Sequence, residues 1–262
     1  AGGDITMTAT DVIGVNDRVR STGGSVTLTS VEIQMDDNVQ TTANAPITVN
    51  GDVRIDNNQS FLSAGGDIRI TGEIDDRFTA NHTLSFSSPG GDIYIEGAVG
   101  STRRPSSPSF EAERVIFTGA ASAADDDIIV DQQMTFTGVT HVRLEMQDNA
   151  AIQLGAAAGD DTFIWPIDLY IDLPVGVTLT LQDDLEVRGR AVFYGGTTNL
   201  NTNELRVWDD LAIFGTGYSA SDPDWPAANT RWEHPAQKVA APAGLYYDPG
   251  TPYNAQLTLG GA

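Results

Sequence analysis

Apolar residues recur along this chain in pairs that skip one position, the period of a β-strand. Ile5/Met7, Val26/Leu28, Ile47/Val49, Ile68/Ile70 and Ile93/Ile95 form such pairs, with Thr, Arg or Tyr between the members. The first four pairs start 21 residues apart, and the fifth follows after 25. A fixed period of this size predicts a solenoid, in which each turn buries its apolar face only against its neighbours. Shorter apolar runs fall between the pairs. Val12-Ile13, Val31-Glu32-Ile33, Val53-Arg54-Ile55 and Ile74 mark a second strand per turn. Val19, Val39, Phe61-Leu62 and Leu84-Ser85-Phe86 mark a third. Three short strands per turn, stacked at about 4.8 Å, describe a parallel β-helix.

Most pairs follow a Gly-Gly corner: Gly2-Gly3-Asp4, Gly23-Gly24-Ser25, Gly65-Gly66-Asp67 and Gly90-Gly91-Asp92, with Asn44-Ala45-Pro46 as the exception. Glycine there is expected to supply a positive-φ bend. The aspartates are expected to bond their own backbone in Asx-type turns. Past residue 100 the spelling loosens. Ser101–Ser109 (STRRPSSPS) reads as a polar loop outside the coil. Alternating strands then resume around Val115, Ile128, Val142, Ile152, Ile167, Val177, Leu185, Leu205 and Leu211. Residues 1–217 therefore read as a β-helix of about ten coils. Residues 218–262 hold Trp225, Trp232, Tyr246, Tyr247, Tyr253 and the only lysine. They read as an irregular segment that either caps the last coil or anchors a neighbouring subunit through its aromatics.

Composition narrows the functional classes. There is no cysteine, so neither a disulfide framework nor a thiolate metal site exists. Acids outnumber Lys and Arg 36 to 14, giving a net charge of −22. No basic stripe is available to neutralise phosphates, which excludes nucleic acid as a partner. No apolar run is long enough for a membrane-spanning helix. The chain opens on Ala1 inside a repeat, as a mature exported chain does after cleavage and as a fragment of a longer protein also does. The acidity has three readings: adaptation to high salt, carboxylates awaiting Ca²⁺, or a solvated surface.

The strings Ala1–Thr8 and Leu62–Ile70 resemble repeats of the filamentous haemagglutinin family, large secreted bacterial adhesins exported by two-partner secretion. Val175–Gly217 resembles the looser coils of autotransporter passengers. The resemblance implies an all-β, right-handed parallel β-helix, export, and adhesion or extracellular structure. It places the chain outside a bacterial or archaeal cell or on its surface.

Candidate sites follow from paired acids and exposed ends. Asp36-Asp37, Asp75-Asp76 and Asp183-Asp184 recur at turns, where stacked carboxylates call for bridging Ca²⁺ or alternation with Asn. Asp183-Asp184 near Arg188 and Arg190 is the best local candidate for the paired-carboxylate chemistry of glycan-degrading β-helices. His82, His141 and His234 show no metal-ligand spacing, and no catalytic constellation is assigned. A coil beginning at Ala1 would leave Ile5 and Met7 facing outward along the stack, where open edges invite pairing. The functional expectation is a secreted structural protein that assembles head-to-tail with copies of itself, with Ile5, Met7, Trp225, Trp232, Tyr246, Tyr247 and Tyr253 at the contact. A slice of a larger adhesin, or a module that binds or cleaves surface glycans, is the alternative.

Overall fold

A computed structural model describes residues 2–78, 82–119, 127–130, 132, 134–154, 162–165, 167–200, 203, 205–207 and 211–213, plus the backbone of Gln237–Lys238, Leu245–Tyr247 and Gln256–Thr258. The chain winds into a parallel β-solenoid, and no helix occurs among the described residues. None is therefore long and apolar enough to cross a membrane.

The alternating pairs stack in register to form the first face. One column passes through ten strands: Ile5, Val26, Ile47, Ile68, Ile93, Val115, Val142, Leu169, Ala191 and Leu211. Its steps are 21, 21, 21, 25, 22, 27, 27, 22 and 20 residues long. The period drifts while the register holds, because extra residues are taken up in the corners. A second face stacks Ile13, Ile33, Val53, Ile74, Val99, Ile128, Ile152 and Leu181.

The third face begins with Val19, Val39 and Phe61 and continues through Phe86, Phe110 and Phe136. Stacked strands bring these phenylalanines ring over ring. Centroids lie 5.4, 5.3 and 5.5 Å apart, with interplanar angles of 9°, 5° and 17°. Trp165 closes the ladder edge-on against Phe136 at 5.4 Å. Offset ring stacking adds attraction beyond the area that each ring buries. One apolar core runs the length of the stack, and most of its inward side chains are fully buried.

The corners differ from expectation in two respects. Of the four glycine pairs of the repeat, 2–3, 23–24, 65–66 and 90–91, only Gly65 has positive φ (151°). Close approach between coils requires glycine at Gly2, Gly23, Gly24, Gly66 and Gly91, while Gly3 and Gly90 meet no tight neighbour. A Cβ on Gly66 would sit 2.5 Å from Ala45 O, one on Gly24 2.5 Å from Asp4 N, and one on Gly23 2.7 Å from Gly2 O. The second difference is the Pro-containing stretch after residue 100, which belongs to the coil wall. Ser106 N donates to His82 O at 2.8 Å, and Gln132 N donates to Ser106 O at 2.9 Å. Pro105, Ser106 and Pro108 are buried. The polar spelling hides a segment hydrogen-bonded to the coils on both sides.

Three short strands beyond residue 217 attach to the stack. Leu245–Tyr247 pairs in parallel with Leu211–Ile213, and Gln256–Thr258 with Thr197–Asn199. Gln237–Lys238 then pairs antiparallel with Leu245–Tyr247.

If close approach rather than backbone angle fixes the Gly-Gly corner, alanine must behave differently at a crowded corner glycine and at an open one. Gly66→Ala is expected to cost about 1–3 kcal/mol through overpacking. Gly3→Ala meets nothing within 4 Å and should stay within about 0.5 kcal/mol of wild type. Urea unfolding monitored by circular dichroism separates the two.

Candidate functional site

The aspartates of the repeat reach across to the next coil rather than back to their own turn. Asp4 Oδ1 accepts from Ser25 N at 2.8 Å and from Ser25 Oγ at 2.9 Å. Asp67 Oδ1 accepts from Asp92 N at 3.0 Å, and Asp168 Oδ1 from Arg190 N at 2.8 Å. Other corners repeat the device: Asp52 accepts from Glu73 N, Asp127 from Ala151 N, Asn38 from Ser60 N, Asn58 from Thr83 N and Asn149 from Thr178 N. A corner N–H has turned away from the sheet ladder and needs another acceptor. Asp and Asn reach one strand spacing with two side-chain torsions, whereas Glu would freeze a third. This geometry suits the excess of aspartate, 27 against 9 glutamates. The two bonds from Ser25, the backbone one foremost, hold the Asp4 carboxyl below its ordinary pKa.

The paired acids predicted as cation ligands are separately engaged by protein groups. Asp75 is 1% exposed; it pairs with Arg54 and accepts from Thr102 N and Arg103 N at 3.2 Å each. It thus pins the start of the Pro-containing stretch. Asp76, 2% exposed, accepts from Phe78 N at 2.9 Å and His82 N at 3.1 Å, and its Oδ1 lies 3.1 Å from His82 Nδ1. Asp36 receives Asn57 Nδ2 at 3.3 Å, the alternation with Asn that the sequence suggested. Asp37 accepts from Asn38 N at 2.7 Å. Asp183 is buried and accepts from Leu154 N at 2.8 Å. Its neighbour Asp184 opens the strand Asp184–Val187. Arg188 pairs with Glu186 and Arg190 with Asp168. Among the described residues, no group of three His, Cys, Asp or Glu side chains is placed to hold a metal ion.

Of the predicted contact residues, Ile5 and Met7 lie in the first strand, partly exposed, and pack on the core from one side. Tyr246 and Tyr247 are placed by backbone register alone, in the strand over Leu211–Ile213. Trp225, Trp232 and Tyr253 lie outside the described residues.

Sequence reasoning missed a polar cluster on the outer side of the first face. Outward positions of the first face carry Asp92/Tyr94, Arg114/Ile116, His141/Arg143, Asp168/Tyr170 and Arg190/Val192 on successive coils. Opposite charges alternate up the stack: Arg114 pairs with Asp92 and Arg190 with Asp168. Arg143 pairs with Glu145, just past the end of its own strand. Arg69 lies 4.6 Å over the Tyr94 ring and pairs with Glu96. Ile116, His141, Arg143, Tyr170 and Val192 are buried, with Arg143 at 8% exposure and Tyr170 at 2%, while Asp168 and Arg190 are half-buried. Burial raises the pKa of Glu145 and of Asp172 and pushes Tyr170 up to about 12. Aligning the strings HVRLE, DLYID and RAVFY on the strand register would have revealed the cluster. Their starts are 27 and 22 residues apart, outside the strict period.

His141 sits at the middle of this cluster, edge-on to Tyr170 with centroids 5.3 Å apart. Thr140 Oγ1 donates its hydrogen to Glu113 O at 2.9 Å, so toward His141 Nδ1, 3.0 Å away, it is an acceptor. The proton therefore resides on Nδ1. The Nε2 lone pair is buried without a partner. Burial, reinforced by Arg114 and Arg143, lowers the His141 pKa to about 4.

A scan of protein-family models and comparisons with curated proteins and with solved structures find no match. The fold itself defines the class: a parallel β-solenoid repeat protein whose corners are stitched by Asp and Asn.

Asp67→Ala leaves the Asp92 N–H without its acceptor and should lower stability by about 1–2 kcal/mol. Asp67→Asn keeps an Oδ1 there and should recover most of the loss in the same urea titration. For His141, the unfolded chain binds a proton near pH 6.5 and the folded chain only near 4. Stability is therefore lost as pH falls through this window, by about 3 kcal/mol from this group. Glu145 and Asp172 act with opposite sign, their raised values favouring the folded state as they protonate. Replacing His141 with Gln should flatten the acid limb of stability against pH between 6.5 and 4, measured by denaturation at fixed pH steps.

Proposed function

We propose that this β-solenoid is a structural module of an extracellular or cell-surface assembly, extended end-on by a second copy stacking against its first strand. The observation that carries the reading is the prevailing direction of the corner stitches. Asp and Asn accept from the coil that follows, which makes the two faces of each coil unlike. The strand Ile5–Thr8 presents one of those faces. That strand pairs with Val26–Thr29 and, among the described strands, with nothing on its other side. Inward residues one coil on, Val26 and Leu28, are fully buried, whereas Ile5 and Met7 remain partly exposed. A half-covered apolar rung beside unpaired backbone is a template for another strand. Contact between unlike ends repeats without closing and produces a fibre. The spelling of the first coils, which resembles exported adhesin repeats, supports an extracellular setting. An adhesive role along the side wall is compatible with the same architecture.

The backbone polarity supplies a clean test. Ile5 N and Ala9 N donate to Ser25 O and Thr29 O at 2.9 and 3.0 Å. Alternation along the strand then turns the Thr6 and Thr8 N–H groups toward the open edge. Thr6→Pro removes an edge donor and leaves the inner ladder in place. Sedimentation velocity and negative-stain microscopy should show end-to-end species for the wild type and a shift to monomer for Thr6→Pro. A wild type that stays monomeric across salt and Ca²⁺ concentrations overturns the reading.

A further inference from the structure

We infer that Asn58 is a glycosylation site: its side-chain amide, on the outer corner between the second and third faces, accepts an N-linked glycan. The inference rests on the extracellular reading above, since the modification belongs to exported chains.

Asn58-Gln59-Ser60 has the N-x-[S/T] acceptor pattern, in which the hydroxyl two residues on assists the asparagine amide. The pattern alone is common, and the coil adds what the pattern lacks. Asn58 closes the turn between the strands Ile47–Ile55 and Gln59–Leu62 and is exposed. Its Oδ1 accepts from Thr83 N of the next coil at 2.8 Å. The amide group is planar, so fixing Oδ1 against the next coil turns Nδ2 away from it. The glycan-bearing atom is thereby oriented by the same stitch that holds the corner. Gln59 points inward and is buried, so the strand begins directly after the acceptor and leaves the amide at its outer end. Ser60 N is held by Asn38 Oδ1 at 2.7 Å, which fixes the third residue of the pattern as well.

The chemistry is compatible with the fold. The Asn58 nitrogen forms a bond to the anomeric carbon of a lipid-linked glycosyl phosphate donor and loses one proton. The bond from that carbon to the phosphate oxygen breaks, and the phosphate leaves with the electron pair. The amide carbonyl survives, so the bond from Thr83 N is retained in the modified chain. Asn81-His82-Thr83 repeats the pattern one coil on, but Asn81 lies outside the described residues, so the assignment is to Asn58.

The test uses the full chain in a host that exports it and carries an N-glycosylating transferase. Intact mass of the exported protein should exceed the 27.8 kDa of the bare chain, with fragmentation placing the addition on Asn58. Asn58→Asp preserves the acceptor for Thr83 N and removes the nitrogen, so it should fold with wild-type stability and lose the added mass. Ser60→Ala keeps the asparagine and should lose it too. An exported protein of unmodified mass, or an addition that survives in both variants, overturns this inference and leaves the extracellular reading standing. Retention of the chain inside the cell overturns both.

Discussion

One distance governs this molecule, the separation of about 4.8 Å between adjacent strands of a sheet. Every coil must meet its neighbour at that spacing on all faces at once. The faces solve the problem with ladder hydrogen bonds and stacked aliphatic or aromatic side chains. The corners cannot, because the chain turns there and its N–H groups leave the ladder. Asp and Asn supply the missing acceptors, and glycine lets two corners approach where a Cβ would collide. Both residue preferences follow from the same spacing.

The acidity of the chain acquires a structural cause on this view. The Asp4 carboxylate, which accepts from Ser25 N and Oγ, is stabilised as an anion and its pKa is lowered. Stacked acids would repel one another, and the structure relieves them locally. Asn57 faces Asp36, Arg77 pairs with Asp56, Arg54 with Asp75 and Arg114 with Asp92. Thirteen of the fourteen basic residues are arginine, whose planar fork meets a carboxylate across one strand spacing.

The fold was legible because a stacked coil writes its pattern repeatedly, and alternation at Ile5, Val26, Ile47, Ile68 and Ile93 named one face directly. Legibility failed where position along the stack, not local sequence, decides the environment. Phe110 and Phe136 join a ladder with Phe61 and Phe86 only because four coils of unequal length remain in register. The strands Thr135–Thr137, Ala191–Phe193 and Thr197–Asn199 were missed for the same reason. Ser101–Ser109 looked like a solvent loop, since hydroxyls and prolines satisfy coil walls as readily as they satisfy water. The cluster around His141 and Arg143 needs three coils of different length to be aligned before it appears.

The corner stitches also give the stack a direction. Asp4, Asp52, Asp67, Asp127, Asp168, Asn38, Asn58 and Asn149 all accept from the coil that follows in sequence. Asp183 runs the other way, accepting from Leu154 N of the preceding coil. With one prevailing sense, the two faces of any coil are chemically unlike: one offers side-chain acceptors and the other offers bare N–H donors. Placing two first coils together would oppose donors to donors at the corners. Placing a following face on a preceding face matches donor with acceptor, as inside the stack. The polarity that stabilises each junction within the chain is the one that the proposed like-directed stacking between chains would reuse, the geometry that lengthens a solenoid instead of closing it.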